Sequence, residues 1–152
     1  MNKLRMRLAI GAFFLANCGA AFCADKGTRE EAIAMVKKAI TEIKVKGLAK
    51  TIVEVNDPKG PFVDRDLYVM IYDMNGKNLA HGANPRMVGK DLMDLRDRNG
   101  VYFIKERIDI AKTKGSGWQD YDFVNPVSKK IESKSLYIEK AGDVIVTSGV
   151  YK

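Results

Sequence analysis

Positions 67–72, which read LYVMIY, constrain the fold more than any other stretch of this chain. Alternate side chains point to opposite faces of the strand. One face is bulky and consists of Tyr68, Met70 and Tyr72, and the other is aliphatic and consists of Leu67, Val69 and Ile71. A strand with one side in water carries polar residues at every second position, whereas a strand that is apolar on both sides is covered on both sides. The chain is therefore predicted to form a sheet with other elements packed against both of its faces.

Signals on either side of this strand predict a long helix before it and a hairpin after it. Thr28 and Glu31 form a capping-box pattern, and apolar residues then recur at spacings of three and four, which is typical of an amphipathic helix. The predicted buried stripe consists of Ile33, Val36, Ile40 and Ile43. The segment 48–55 is compatible with a further helix or with a strand. The dipeptide NG at 75–76 supplies the positive-φ positions of a tight turn, and residues 78–81 return.

The second half of the chain predicts one more helix and three strands. Residues 82–96 contain Gly and Pro without a sustained period, which indicates an ordered loop. A helix capped by Asp97 or Asn99 follows, and its predicted buried face consists of Val101, Ile104, Ile108 and Ala111. Strands separated by turns are predicted at 117–124, 133–139 and 144–151. The fold class is therefore α+β, with five antiparallel strands, a long N-terminal helix on one face and a loop-helix crossover on the other.

Residues 1–24 have the layout of a secretory signal peptide. A basic start precedes the apolar stretch LAIGAFFL, which is too short to span a bilayer, and small residues follow. Cleavage is expected between Cys23 and Asp25. The less favoured alternative is a lipid-modified Cys18, because LANC at 15–18 resembles a bacterial lipobox but carries Asn17 where that box has a smaller residue.

Both cysteines of the chain lie in this leader, at Cys18 and Cys23. The exported chain is therefore expected to lack disulfides, thiolate metal sites and covalently attached haem. Residues 25–152 suffice for one hydrophobic core and are predicted to form a single domain. No later segment approaches 18 uninterrupted apolar residues, so the expected product is a soluble protein of the periplasm or one that is secreted.

Charge and motif content exclude several classes of function. The chain has 26 Lys and Arg against 19 Asp and Glu, and its basic residues are scattered among acids rather than gathered in a stripe. Export and this dispersion argue against nucleic acid as a partner. A single histidine, His81, argues against a metal site, and no cofactor is expected. The chain contains neither a Gly-x-Ser-x-Gly motif nor a phosphate-binding glycine loop, so an enzyme is not expected.

Four segments, taken in order, resemble a single Cache domain of the second type, an extracytoplasmic relative of the PAS fold. They read GPFVDRDLYVMIYDMNGKNLAHG, NPRMVGKDLMDLRDRNGVYFIKE, GSGWQDYDFVNP and KSLYIEKAGDVIVTSGVY. The similarity extends from about Glu31 to Tyr151 and implies a PAS-like sheet. It also implies a small-ligand sensor of the kind that stands between two transmembrane helices of a chemoreceptor or histidine kinase. The ligands of such domains are often short carboxylates, held between the sheet and the loop-helix crossover.

The sequence departs from the plan of those receptors at both ends. The last predicted strand is followed only by Lys152, and a leader stands where the first membrane helix would be. A standalone form is therefore expected, which binds a small organic anion such as acetate, propionate or pyruvate and acts through a separate membrane chemoreceptor, histidine kinase or transporter. The alternative is an interaction module with a closed pocket, and a ligand-sized cavity beneath His81 would argue against it. A homodimer through the N-terminal helix is left open.

His81 and Lys134 are the first candidates for ligand contact, mostly on the resemblance. His81 ends the returning strand, where a neutral or protonated imidazole could donate to a carboxylate. The other interpretation is a strand-end histidine bonded to the backbone at Asn84-Pro85. Lys134 begins a strand in the run KSLYI, and the resemblance implies a lysine in the pocket. The alternative is an edge lysine in solvent, since burial of an unpaired charge is costly.

Aromatic residues and one arginine complete the candidate ligand-binding set. Tyr121 and Phe123 share one face of their strand, and the resemblance implies that this face looks toward the ligand. The family often has a tryptophan where Phe123 stands, so a more apolar wall is expected here, although core packing explains Phe123 equally well. Tyr68 and Tyr72 are weaker candidates of the same kind. Arg86 could clamp a carboxylate, but an exposed salt bridge to an aspartate of the same loop is the favoured interpretation.

Overall fold

The computed structural model describes residues 26–152, so the predicted signal peptide, its cleavage position and its lipid-modified alternative lie outside the described residues. The helices are α1 (Arg29–Lys46), α2 (Leu48–Val55) and α3 (Phe103–Thr113), with one turn of 3-10 helix at Pro85–Met87. The strands are β1 (Val63–Asp64), β2 (Leu67–Tyr68), β3 (Met70–Asp73), β4 (Asn78–His81), β5 (Ser116–Val124), β6 (Ile131–Ala141) and β7 (Val144–Tyr151).

Five strands form one antiparallel sheet in the order β4-β3-β7-β6-β5, and β1 and β2 form a small separate ladder. The predicted α+β class and the five antiparallel strands are confirmed. The register places Tyr121 of β5 beside Lys134 of β6, and Lys134 beside Tyr151 of β7. Directly paired residues of an antiparallel sheet point to the same face, so these three side chains form one row.

Both faces of the sheet are covered, as the LYVMIY alternation predicts. The aliphatic face packs with α1 and α2 in a cluster that includes Val36, Val69 and Ile71. The bulky face packs with α3 in a second cluster, to which Tyr72 and Ile104 belong. Complete burial of a side chain of this size contributes about 1.5–3 kcal/mol to stability, so double coverage fixes which face each residue occupies.

The N-terminal helix begins as predicted. The Thr28 hydroxyl accepts a hydrogen bond from the Glu31 backbone N–H at 3.2 Å, and the Glu31 carboxylate accepts one from the Thr28 N–H at 2.8 Å. The buried stripe differs slightly from the prediction and consists of Ala32, Val36, Ala39 and Ile40. Gly47 ends α1 at a φ of 88°, and the segment whose state was open forms the helix α2.

The crossover helix begins later than the sequence predicts. Neither Asp97 nor Asn99 caps α3, whose N-cap is Tyr102 without a side-chain hydrogen bond. The Asp97 carboxylate instead accepts backbone N–H groups of Asn99 at 2.8 Å and Val101 at 2.9 Å, which closes a turn before the helix. Val101 is 37% exposed and does not belong to the buried face. Within residues 26–152, no helix combines the length and apolar character that crossing a bilayer requires.

Candidate functional site

His81 is buried at the end of β4, where it pairs with Met70 of β3. Its Nδ1 accepts backbone N–H groups from Asn84 at 3.0 Å and from Ala83 at 3.3 Å. A ring nitrogen that accepts N–H donors carries no proton, so the neutral imidazole has its hydrogen on Nε2. Nε2 is buried and has no hydrogen-bond partner among the described residues. The interpretation of His81 as a strand-end histidine bonded to the loop backbone describes this structure, and its ligand role stays a prediction for which Nε2 is the available donor.

The His81 imidazole is neutral at every physiological pH. Burial is the largest cause and the positive charges of Lys134 and Arg107 act in the same direction, and together they lower its pKa to about 3. His81 and Lys134 both contact the Tyr68 ring, whose centre lies 5.1 Å from that of His81 and 3.8 Å from the Lys134 Nζ. A neutral donor suits either a carboxylate oxygen or an uncharged carbonyl or hydroxyl oxygen.

Lys134 is completely buried on β6. Its Nζ lies 3.8 Å from the centre of the Tyr68 ring and 4.6 Å from the centre of the Tyr151 ring. Its hydrogen bond to the Tyr151 hydroxyl is long, at 3.5 Å. The ammonium group is thus held by aromatic faces rather than by a carboxylate, and the solvent-edge interpretation of Lys134 does not describe this structure.

The surroundings of Lys134 disfavour its charged form. Its pKa is held well below the ordinary value of 10.5, first by burial and next by repulsion from Arg107. Asp66 attracts the ammonium and raises the pKa, but this effect is smaller than the other two. A bound anion would reverse the balance, since an opposite charge within hydrogen-bond distance favours the protonated amine.

Two tyrosine hydroxyls link the lysine to the edge of the site. The Tyr68 and Tyr151 hydroxyl oxygens lie 3.0 Å apart, and the Tyr151 hydroxyl lies 2.8 Å from the Val124 carbonyl oxygen, to which it donates. The Tyr68 ring also stacks on the His81 ring, with 5.1 Å between the ring centres. Tyr68 therefore joins the histidine and the lysine in a single aromatic wall.

Arg107 is a buried basic residue that the sequence interpretation missed. It lies on α3, is 1% exposed, and its guanidinium carbon lies 4.8 Å from the Tyr72 ring centre, 5.4 Å from that of Tyr121 and 5.7 Å from that of Phe103. Its Nη2 contacts the Gln119 amide oxygen at 3.4 Å, whereas Nε and Nη1 are buried and have no acceptor among residues 26–152.

Arg107 keeps its charge among these three aromatic rings. Burial lowers its pKa, but the hydroxyls of Tyr72 and Tyr121 raise it, and the net direction is upward. The signal that could have found it is its position. Three residues after Ile104 and four before Ala111, it stands on the predicted buried face of the helix, where a cation needs a partner.

A cavity of about 270 Å³ opens beside this interior. Its lining residues are Tyr68, His81, Ala83, Asn84, Phe123, Val124, Pro126 and Lys129. The loop after β4 and the connection between β5 and β6 thus form its rim. A larger cleft of about 360 Å³ lies on the other side of that connection, where Asp66 and Glu132 line it. The smaller cavity is the candidate site because His81 and Tyr68 line it, while Lys134 and Arg107 lie behind this wall and are not among its lining residues.

The sequence profile of the single Cache domain 2 family matches residues 2–152. The chain belongs to this family. The resemblance inferred from the four sequence segments is thereby confirmed over nearly the whole chain. Cache domains are sensor domains rather than enzymes, so the expectation of a non-catalytic protein holds at the level of the family.

Relatives of this Cache domain include receptors of much greater length. The methyl-accepting chemotaxis protein McpP of Pseudomonas putida is 32% identical over 90 residues, which are 58% of this chain and 16% of that protein. A methyl-accepting chemotaxis protein of Vibrio parahaemolyticus has a structure with a TM-score of 0.68 and 28% identity, over 80% of this chain and 86% of that one. The match to McpP thus covers under two thirds of either protein.

A further solved structure shares the fold of this Cache domain at 22% identity, with a TM-score of 0.68 over 80% of this chain and 91% of that one. It is described as the structural basis for carboxylic acid recognition by a Cache chemosensory domain. That ligand class is a property of that protein. At this identity the likeness establishes the architecture alone.

The remaining candidates of the Cache domain fall at different distances from the cavity. Phe123 lines it and is half-buried, while Tyr121 lies behind Phe123, with 5.8 Å between the ring centres. Tyr72 is one of the three aromatic residues that surround the Arg107 guanidinium. Arg86 is exposed on the 3-10 helix and is not among the lining residues. Among the described residues, no group of three His, Cys, Asp or Glu side chains is placed to hold a metal ion.

Proposed function

We propose that this Cache domain is a periplasmic sensor that binds a short organic acid between the sheet and α3. The observation that carries the proposal is a buried region rich in donors and poor in acceptors. His81 Nε2, Lys134 Nζ and Arg107 approach it from three elements, and no described carboxylate pairs with either cation. A small carboxylate supplies the negative charge and the acceptor oxygens that such a region lacks.

The physical reason is the cost of isolated buried charge. Buried cations in proteins are paired, because desolvation without a partner costs several kcal/mol per ion. A protein keeps such groups where a ligand completes them, and perturbed titratable groups beside a cavity are typical of binding sites. The cavity of about 270 Å³ suits a molecule smaller than a drug-sized ligand.

The comparisons support this proposal at two points. Chemoreceptors are among the relatives, and one protein with the same fold is described as recognising carboxylic acids. Acetate, propionate and pyruvate are accordingly the first ligands to test. We further propose that the bound state is passed to a separate membrane chemoreceptor, histidine kinase or transporter, and that the chain is exported to the periplasm or secreted.

Ligand binding is tested by thermal unfolding of the purified domain with millimolar acetate, propionate, pyruvate, lactate and amino acids. A ligand that binds only the folded state raises the melting temperature in proportion to its saturation of the site. Lys134→Met should abolish the shift, and Lys140→Met is the matched control, because Lys140 is exposed on the same strand. The absence of a shift with every compound would favour the alternative, an interaction module without a ligand.

A further inference from the structure

The two buried basic residues of the site, Lys134 and Arg107, lie on different elements and contact different aromatic rings. Lys134 projects from the sheet and contacts the rings of Tyr68 and Tyr151. Arg107 projects from α3 and contacts the rings of Tyr72, Phe103 and Tyr121. No aromatic ring is shared between the two sets. The site therefore has two positive subsites rather than one cluster.

The spacing of their tyrosine partners separates these subsites along the sheet. Tyr68 belongs to β2 and Tyr72 to β3, four residues further along the chain, and both lie on the bulky face. The sheet register nevertheless brings the two basic side chains together, because Tyr121, whose ring lies 5.4 Å from the Arg107 guanidinium carbon, pairs directly with Lys134. They therefore face one interior region, Lys134 from the sheet and Arg107 from α3.

Charge compensation differs between the two ends. Asp66 offsets part of the Lys134 charge. Arg107 lies among the uncharged oxygens of Tyr72, Tyr121 and Gln119, and its Nε and Nη1 have no hydrogen-bond acceptor among the described residues. A single carboxylate bound at Lys134 and His81 would leave this guanidinium unpaired. A second anionic group is what the helix side of the site lacks.

We infer that the ligand is a short dicarboxylate, with one carboxylate against Lys134 and His81 Nε2 and the other against the free donors of Arg107. This inference rests on the proposed function and narrows its ligand class. Arg107 then becomes the specificity-determining residue, because a planar guanidinium matches the geometry of a carboxylate. Gln119 is a positioning residue, since its amide nitrogen donates to the Phe103 carbonyl at 2.8 Å while its oxygen holds Nη2.

The test compares succinate with butyrate by isothermal titration calorimetry. The two acids have the same number of carbons, and butyrate has a methyl group where succinate has its second carboxylate. Wild-type protein is expected to bind succinate at least about tenfold more tightly than butyrate, which is the scale of one charge-assisted hydrogen bond. Malonate and glutarate then measure the distance between the subsites.

Variants at Arg107 assign the second carboxylate to this residue. Arg107→Met should lose at least about tenfold more affinity for succinate than for butyrate, and Arg107→Lys should restore part of this difference. Lys105→Met is the matched control, because Lys105 is an exposed cation on the same helix and pairs with Asp94. Circular dichroism checks that each variant is folded, and the wild-type comparison of the two acids depends on no variant.

Each outcome separates this inference from the proposed function. Tight succinate binding that depends on Arg107 supports both. Equal binding of succinate and butyrate, or binding of butyrate alone, overturns the dicarboxylate inference and leaves the carboxylate sensor intact. An equal loss for both acids in Arg107→Met also overturns it, because Arg107 would then hold the only carboxylate. Binding of neither these acids nor the shorter monocarboxylates overturns the proposed function itself.

Discussion

The ammonium group of Lys134 lies 3.8 Å from the centre of the Tyr68 ring in the interior of the domain. A lysine held by a π face is stabilised much less than one paired with a carboxylate, because the ring offers only a weak quadrupole. The position of Lys134 therefore suits an empty site that gains its counter-charge from a ligand. Five predictions test the consequences of this contact and of the contacts around it.

Replacement of Lys134 by Met should remove most of the affinity for the carboxylate. A charge-assisted hydrogen bond contributes roughly 1.5–3 kcal/mol, which corresponds to about ten- to a hundredfold in the dissociation constant. The empty variant should be as stable as the wild type or more stable, since Met fills the same space without a buried amine that lacks a carboxylate partner among the described residues. Calorimetric titration and urea unfolding measure the two effects. Unchanged affinity in Lys134→Met would place the ligand elsewhere.

Carboxylate binding should be accompanied by proton uptake and should weaken as pH rises. The pKa of Lys134 in the empty protein is well below 10.5, and a bound anion raises it, so the complex holds a proton that the empty protein has lost. Affinity is therefore greatest below the empty-state pKa and falls at higher pH, by up to about tenfold per unit. Titrations in buffers of different ionisation enthalpy count the protons taken up, and zero uptake at all pH values would contradict this assignment.

The stability of the empty domain should show the opposite dependence on pH. Between the lowered pKa of Lys134 and its ordinary value of 10.5, the unfolded chain binds more protons than the folded protein. The free energy of unfolding therefore rises with pH across this window. Urea unfolding of wild type and Lys134→Met at several pH values isolates the contribution, which the variant should lack. Parallel curves for the two proteins would count against a buried neutral lysine.

Replacement of His81 by Phe should loosen the loop at the rim of the cavity. Phe preserves a ring against Tyr68 but removes the Nδ1 acceptor that the Asn84 and Ala83 N–H groups use. A donor left without an acceptor on burial costs about 1–3 kcal/mol in the free energy of unfolding. Denaturant unfolding and amide exchange at Asn84 measure this. His81→Gln should leave the pH dependence of ligand affinity unchanged, because the imidazole titrates at about 3.

Replacement of Tyr151 by Phe should weaken the tie between β7 and the connection that forms the cavity rim. The Tyr151 hydroxyl donates to the Val124 carbonyl at 2.8 Å, and such a bond contributes about 0.5–1.5 kcal/mol. Amide exchange of residues 125–130 should accelerate while the rest of the sheet stays protected. Tyr137→Phe is the control, since the Tyr137 hydroxyl bonds Glu139 at a half-buried position away from the cavity. Equal amide exchange in both variants would show that the hydrogen bond from Tyr151 to Val124 does not hold this connection in place.

Much of the fold was determined by local patterns in the sequence. The alternation at 67–72 assigned each side chain to its face, because the side-chain period of a strand is two and both faces had to be buried. The capping box fixed the start of α1 because its two hydrogen bonds join residues three apart. The predicted start of α3 was wrong. The Asp97 side chain can either cap a helix or close a turn, and only the packing of the folded chain selected the turn.

The site was only partly determined in this way, and its decisive features belong to the tertiary structure. Sequence and resemblance proposed His81 and Lys134, but left the histidine two roles and the lysine two environments. The order β7-β6-β5 encloses Lys134 between Tyr151 and Tyr121, and the loop backbone at Asn84 fixes the proton on the outer nitrogen of His81. Arg107 became a site residue only when α3 crossed the sheet. These outcomes depend on contacts between residues far apart in the chain, which no local spacing encodes.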